Sequence, residues 1–411
     1  MVATLSGFSW FLFYLELSAV SIRGLRLYRA AVPLKKVVKH ASFERSVSEN
    51  LVVRVELAGG TVGFGEGVPR SYVTGETVDS AFALLSAHDW SAAIGRPSDL
   101  ADLVRRLEAL RIPENEADPR GMAGNAARSA LELAVLDAYA RLFGESVGRV
   151  VELVSVEGLE RQPPGPVRYS GAITAESSWG EWKSAVKMRL YGFHQVKIKV
   201  GTAGQDDPRR LRRLRAVLGR RMDLRIDANE AWPAAELLDR VEPLRRYRPT
   251  ALEQPVPHAE VNALADLRPR LGIPIMLDES LCGIPDAEAA IAHGTADLLN
   301  VRISKCGGLV NSLRIIGLAR RAGLDVQLGC HPGETALLSA AGRHLASRVR
   351  GLRYVEGSYD RHILGANLTR QDLTFGYSGR APAIHGPGLG VEVDPASLEA
   401  MTVDSREIRY D

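Results

Sequence analysis

The chain has 411 residues, of which 45% are hydrophobic and 25% charged, and its formal net charge is +3. Composition is that of an ordinary globular protein, and so small a charge excludes a nucleic-acid footprint. The length exceeds what one hydrophobic core organises, so a large domain with a smaller companion is expected.

The first twenty residues, MVATLSGFSWFLFYLELSAV, are apolar but lack a basic start and a small-residue cleavage pattern, and Glu16 interrupts them. They read as an extension (1–20) ahead of the domains, with no stable membrane association expected. From Ile22 the chain alternates as strands, IRGLRLYRAAV, NLVVRVELAGG and TVGFGEG, with Gly59-Gly60 as a hairpin turn between the last two. Apolar spacing of three and four predicts helices from Thr77 to about Leu110 and from Ala123 to Phe143. Residues 21–160 are therefore expected to form an α+β capping domain. The proline-rich RQPPGPV marks its junction with the next unit.

Residues 161–373 follow a different rhythm. Short apolar runs recur, each beside a chemically special residue: Lys197 and Lys199 in HQVKIKV, Asp227 and Asn229 after LRI, Glu253 after TAL, Asp278 after IPIML, and Lys305 after LLNVRIS. The steps from Lys199 to Asp227, Glu253, Asp278 and Lys305 are 28, 26, 25 and 27 residues. One strand, one helix and two loops of a β/α barrel take about 30 residues, and the carboxyl ends of barrel strands converge on one point. The fold class expected is α/β: a (β/α)7–8 barrel of the TIM type. VRYSGAIT is its first strand, and DVQLGC and LRYVEG are its last two. The loop-rich residues 374–411 are expected to return to the capping domain.

Side chains two apart on a strand share a face, so Lys197 and Lys199 both point into the barrel mouth; Asp227 and Asn229 do so if their strand continues. Asp278 and Glu279 are neighbours, so only one can. Three carboxylates on three consecutive strands make an oxygen shell for a hard divalent ion, magnesium first and manganese second. The histidines and cysteines form no zinc cluster. Only eight of the 52 basic residues are lysine, and three of them sit in this set; lysine can lose its proton in a suitable environment, whereas arginine cannot. Three cysteines without CxxC spacing fit a reducing, cytoplasmic compartment.

The motifs KIK, DAN, EQP, DES and SKCGG, in this order and spacing, resemble the enolase superfamily. Within it they are similar to the muconate-lactonizing-enzyme subgroup of muconate cycloisomerases, dipeptide epimerases, o-succinylbenzoate synthases and N-acylamino acid racemases. The likeness runs from about Ile22 to Val393, including GFGEGVP, TGET and PGLGV. It implies that Asp227, Glu253 and Asp278 bind magnesium. It also implies that Lys199 is the base on one substrate face, with Lys197 assisting electrostatically, and that Lys305 acts on the opposite face. Candidate substrate contacts are Asn229, Glu334, Glu356, Ser358 and His331. Two departures stand out. The eighth strand reads VEGSYD where dipeptide epimerases of the subgroup carry Asp-x-Asp, and GCHPGET inserts His331 after the seventh. The activity expected is a magnesium-dependent racemase or epimerase that abstracts the α-proton of a carboxylate, of dipeptide or N-acyl amino acid type, through an enediolate. The alternatives are a cycloisomerase or a syn-dehydrating synthase, then a Schiff-base aldolase or a non-catalytic barrel scaffold. The expected partner is a small carboxylate, and the expected assembly a homo-oligomer.

Overall fold

The computed structural model describes residues 20–40, 43–113, 118, 120, 122–174 and 177–410. All but the last residue of the expected amino-terminal extension thus lies outside the described residues. Among them, no helix is long and apolar enough to cross a membrane.

The first unit is an antiparallel sheet of β1 (Ile22–His40), β2 (Phe43–Leu57), β3 (Val62–Gly67) and the last strand of the chain, in the order β14-β1-β2-β3. That last strand, β14 (Thr402–Arg409), pairs antiparallel with β1 from Gly24↔Arg409 onward and forms one edge of this sheet. Gly60 makes the β2–β3 turn in the left-handed region, at φ 85°. Behind the sheet lies the helix Asn125–Leu142, buried over most of its length. The alternate glycines of VGFGEG explain this close packing. A Cβ on Gly63, Gly65 or Gly67 would fall 2.1–2.2 Å from backbone atoms of Ala138, Ala130 or Ala126, which with Ala134 line one face at four-residue spacing. Small residues on both sides let helix and strand backbones nearly touch.

The helix expected over Thr77–Leu110 is three: Val78–Ser86, Trp90–Ile94 and Leu100–Ala109. Apolar periodicity runs through the segment, but Asp89 and Asp99 each cap a new start through their side chains, and Gly95 turns left-handed at φ 69°. Local capping overrides periodicity here.

The second unit has eight parallel strands in sequence order: β5 (Gly171–Ile173), β6 (Gln195–Lys199), β7 (Asp223–Asp227), β8 (Ala251–Glu253), β9 (Ile275–Leu277), β10 (Leu298–Val301), β11 (Asp325–Leu328) and β12 (Tyr354–Val355). A bond from Ser170 N–H to the Val355 carbonyl (2.8 Å) links the two ends. The short pair β4 (Val167–Arg168) and β13 (Arg380–Ala381) lies outside this sheet. Ala251, Met276, Leu298 and Tyr354 form a separate buried apolar cluster low in the barrel. Two residues further along β8, β9 and β10 stand Glu253, Asp278 and Asn300. The barrel therefore changes from apolar to charged towards its carboxyl end.

Buried acids of the cap hold the two units together. Glu66 accepts bonds from Asn50 and from Thr335 and Leu338 at the start of the barrel helix Ala336–Arg348. Glu132 accepts from the Val310 N–H at the start of Leu309–Arg321. Beyond Pro33, the β1–β2 hairpin lies against the loops after β11 and β12. Gly365 N–H donates to Pro33 O, Lys35 to Arg361 O, Arg45 to Pro332 O and Asn50 to Gly333 O.

Gly65→Ala forces its new methyl into the helix backbone and should destabilise the protein by about 1–3 kcal/mol, the usual cost of overpacking. Gly60→Asn, where nothing lies within 4 Å of a Cβ and asparagine tolerates the left-handed turn, should be close to neutral. Urea midpoints of the two variants check the contrast.

Candidate active site

The strand registers bring the expected residues together. Lys199 pairs with Asp227 across β6–β7, Asp227 with Glu253 across β7–β8, and Glu253 with Met276, two residues before Asp278. Lys197 Nζ sits among three carboxylates, 3.3 Å from Asp227, 3.2 Å from Glu253 and 3.2 Å from Glu356. Burial alone would lower its pKa, but Glu253, Glu356 and Asp227 raise it well above the ordinary lysine range. Lys197 is a fixed ammonium. Lys199 is half-buried and, among the described residues, its side chain makes no hydrogen bond or ion pair.

Glu253 is fully buried. One oxygen accepts from Asn300 (2.9 Å) and Lys197, and the other has no hydrogen-bond partner. Its pKa is pushed up to about 8, first by burial, with Asp227, Asp278 and Glu356 adding repulsion against the pull of Lys197. Burial also pushes Asp278 up, but Arg302 and Lys305 prevail and hold it at about 2. The all-oxygen donor set, its mutual repulsion and the bare Glu253 oxygen fit a hard divalent cation. Among the described residues, however, no three such side chains are already gathered as a metal shell; Lys197 and Arg302 stand between them.

Lys305 is turned onto Asp278 and the end of β10. Its side chain is fully buried, and its amine donates to Asp278 Oδ1 (2.7 Å), the Asp278 carbonyl (2.6 Å) and the Asn300 carbonyl (3.1 Å). It belongs to the turn after β10, which the cap clamps. Asn125 donates to the Lys305 carbonyl, and a Cβ on Gly308 (φ 106°) would fall 2.5 Å from the Glu132 carboxylate. The SKCGG motif thus receives the cap helix. The cation on the inner face of β10 is Arg302, in step with Leu298 and Asn300, paired with Asp278 and 3.9 Å from Glu253. The parity of LLNVRIS could have shown this, since Arg302 is two residues from Asn300 whereas Lys305 lies beyond the strand.

The substrate-contact candidates divide. Asn229 does not extend β7: Asn229 and Glu230 turn left-handed at φ 42° and 65°, and the Asn229 amide reaches Glu279. Glu356 faces the barrel but is paired on both sides, with Lys197 and with the fully buried Arg225 (2.9 Å), which also bonds Gln327 and lies over the Tyr354 ring. Arg225 is a second residue missed in the sequence; its parity with Asp227 was the signal. Ser358 bonds Arg343 and Tyr169. His331 is buried, not solvated, and its pKa is lowered far below normal by burial and by Arg302, Arg70, Lys305 and Arg45. Glu334 accepts from the His331 N–H (2.6 Å), and burial pushes it up to about 8.

Residues 182–397, more than half of the chain, match the family model described as Enolase C-terminal domain-like. The chain belongs to the enolase superfamily. Its relatives are those of the muconate-lactonizing-enzyme subgroup. It is 26% identical over 394 residues to the N-succinyl-L-Arg/Lys racemase of Bacillus cereus, covering 93% of this chain and 98% of that one. It is 27% identical over 393 residues to muconate cycloisomerase 1 of Rhodococcus opacus, covering 94% and 99%. The crystal structure of a dipeptide epimerase from Cytophaga hutchinsonii, complexed with Mg and the dipeptide D-Ala-L-Val, superposes with a TM-score of 0.79 at 26% identity, covering 95% of this chain and all of that one. This member of the enolase superfamily is accordingly an isomerase with a TIM-type barrel.

Removing the Lys305 amine strands a buried carboxylate and two carbonyls. Lys305→Met should therefore cost about 3–5 kcal/mol of stability, the usual loss when a buried pair is broken. Lys199→Met should stay within about 0.5 kcal/mol. Melting temperatures of the metal-free proteins decide; equal stabilities would mean that Lys305 has no structural part.

Proposed function

We propose that the enzyme isomerises a small carboxylate by moving the proton on its α-carbon, with Lys199 as the acid–base group and the enediolate as intermediate. The observation carrying this reading is that Lys199, among the lysines of the mouth, is the one whose side chain has neither ion pair nor hydrogen bond among the described residues. It stands at the end of β6 beside Asp227. Asp227, Glu253 and Asp278 would hold a divalent cation, magnesium by preference. When bound, it neutralises the charge that develops as the α-proton leaves, usually the largest catalytic contribution. Lys197, kept protonated by its carboxylate neighbours, stabilises that charge as well. Glu356, already paired with Lys197 and Arg225, offers no free carboxylate to a substrate ammonium. This favours a substrate without an amino terminus over a dipeptide.

The placement of Lys305 behind Asp278, with Arg302 in its stead, supports a one-base course of the cycloisomerase kind. The proton moves on one face, and the second bond change occurs within the substrate. Arginine keeps its charge near neutral pH and does not serve as the second base. The racemase course is supported instead by the likeness to the Bacillus cereus enzyme.

Proton NMR in deuterated water separates the two. Against paired enantiomers of N-acylamino acids and α-substituted lactones, the one-base enzyme should exchange the α-proton of one enantiomer only. Lys199→Ala should abolish that exchange. Comparable exchange of both enantiomers by the unmodified enzyme would establish the racemase course. Chelation should stop exchange, and magnesium at a hundredfold excess over its Kd should add about 2.7 kcal/mol of stability, an increment largely lost in Glu253→Gln.

A further inference from the structure

We infer that Arg70, aided by Arg45, forms a second anion-binding site at the rim of the mouth, so that the substrate of the reaction proposed above carries a second anionic group remote from its reacting carboxylate. The inference rests on that proposed reaction for the word substrate, but not for the site itself. Arg70 is only 5% exposed. Its guanidinium donates to the Glu49 carbonyl (2.9 Å), the Pro69 carbonyl (2.6 Å) and the Ser48 hydroxyl (2.6 Å), all neutral acceptors. Its Nε is buried without a partner, and among the described residues no carboxylate lies within ion-pair distance. A buried guanidinium without a counter-anion is expensive, and neutral acceptors alone would be met by an uncharged donor at less cost. The charge is better explained by an anion that arrives.

The surroundings say where that anion would lie. Val68 N–H bonds Ser304, two residues beyond Arg302, so the loop carrying Arg70 lies over the turn after β10. Ser48, bound by Arg70, is packed so closely on Gly333 (φ 99°) that a Cβ there would fall 2.3 Å from its hydroxyl. Arg45 reaches the Pro332 carbonyl from the hairpin. His331, uncharged and 3% exposed, lies near enough to Arg302, Arg70 and Arg45 to feel their charges. Arg70 feels the charge of two acids: Glu334, pushed up to about 8 by burial and without a full negative charge near neutrality, and the exposed Glu49, which is beyond ion-pair distance. Burial and the charge of Arg45 draw Arg70 itself down to about 9, a strain that an anion would relieve.

The test is calorimetric binding of unreactive carboxylates to the magnesium-loaded full chain: succinate, glutarate and adipate, each against the monocarboxylate of equal carbon number. At least one dicarboxylate should bind about tenfold more tightly than its partner, in keeping with a charge-assisted bidentate contact. Arg70→Met should erase that advantage while leaving the monocarboxylate Kd unchanged, and Arg70→Lys should restore part of it. Equal affinities throughout the unmodified enzyme would overturn the inference. So would an Arg70→Met variant that loses both ligands alike, because that is the mark of a purely structural arginine. Should Arg70→Met not fold, Arg45→Met must reduce the dicarboxylate preference, and an unchanged preference refutes the site. Binding is read without turnover. A dicarboxylate preference without any α-proton exchange would therefore defeat the proposed reaction and leave the anion site standing.

Discussion

Everything at the mouth of this barrel depends on the balance of buried charge. Asp227, Glu253, Asp278 and Glu356 project into one enclosure, where the other three add to burial in raising the pKa of Glu253. Lys197, Arg225, Arg302 and Lys305 are interleaved with them. Each cation is confined to a definite place. Lys197 joins three strands, Arg225 braces the eighth strand from below, Lys305 ties the turn after β10 to Asp278, and Arg302 fills the face opposite Lys199. All four of these cations are committed to carboxylates, whereas the Lys199 side chain has no such partner among the described residues. A divalent ion entering among the carboxylates would compete with Lys197 and Arg302 for them.

The cap does more than cover the mouth. Its buried acids terminate barrel helices, and its helix Asn125–Leu142 is pressed onto the glycines of β3 closely enough to deliver Asn125 and Glu132 to the SKCGG turn. The position of Lys305 is thus set from outside the barrel. The hairpin and the loop after β3 bring Arg45 and Arg70 to the rim by the same docking. In the reaction and the anion site proposed above, the barrel strands would carry the chemistry, and side chains presented by the cap would meet the remote part of the substrate.

Much of this was legible in the residues alone, for identifiable reasons. Barrel strands recur at nearly constant intervals, and each must end near the axis, so the positions of Lys199, Asp227, Glu253 and Asp278 along the chain already implied their convergence. The same periodicity located all eight strands. It failed where an element ends. Asn229 left the strand because the backbone turns left-handed immediately after Asp227. The segment from Thr77 broke into three helices because capping aspartates and Gly95 act over three or four residues, a shorter range than apolar spacing senses.

The choice between Lys305 and Arg302 could not be read from interval counting. Both lie near the end of β10, and both are cations within reach of Asp278. Strand parity favoured Arg302, but only packing settles which one faces the mouth. The GG turn must admit Glu132 and Asn125 from the cap, and admitting them folds Lys305 back beneath Asp278, where two backbone carbonyls hold its amine. Linear order thus established the barrel, its family and its ring of carboxylates, because these follow from periodicity along the chain. The partners of the buried charges were decided by contacts between different strands, the farthest of them more than a hundred residues apart, as between Arg225 and Glu356 or Lys197 and Glu356. Electrostatic pairing depends on distance in space, which no spacing along the chain encodes.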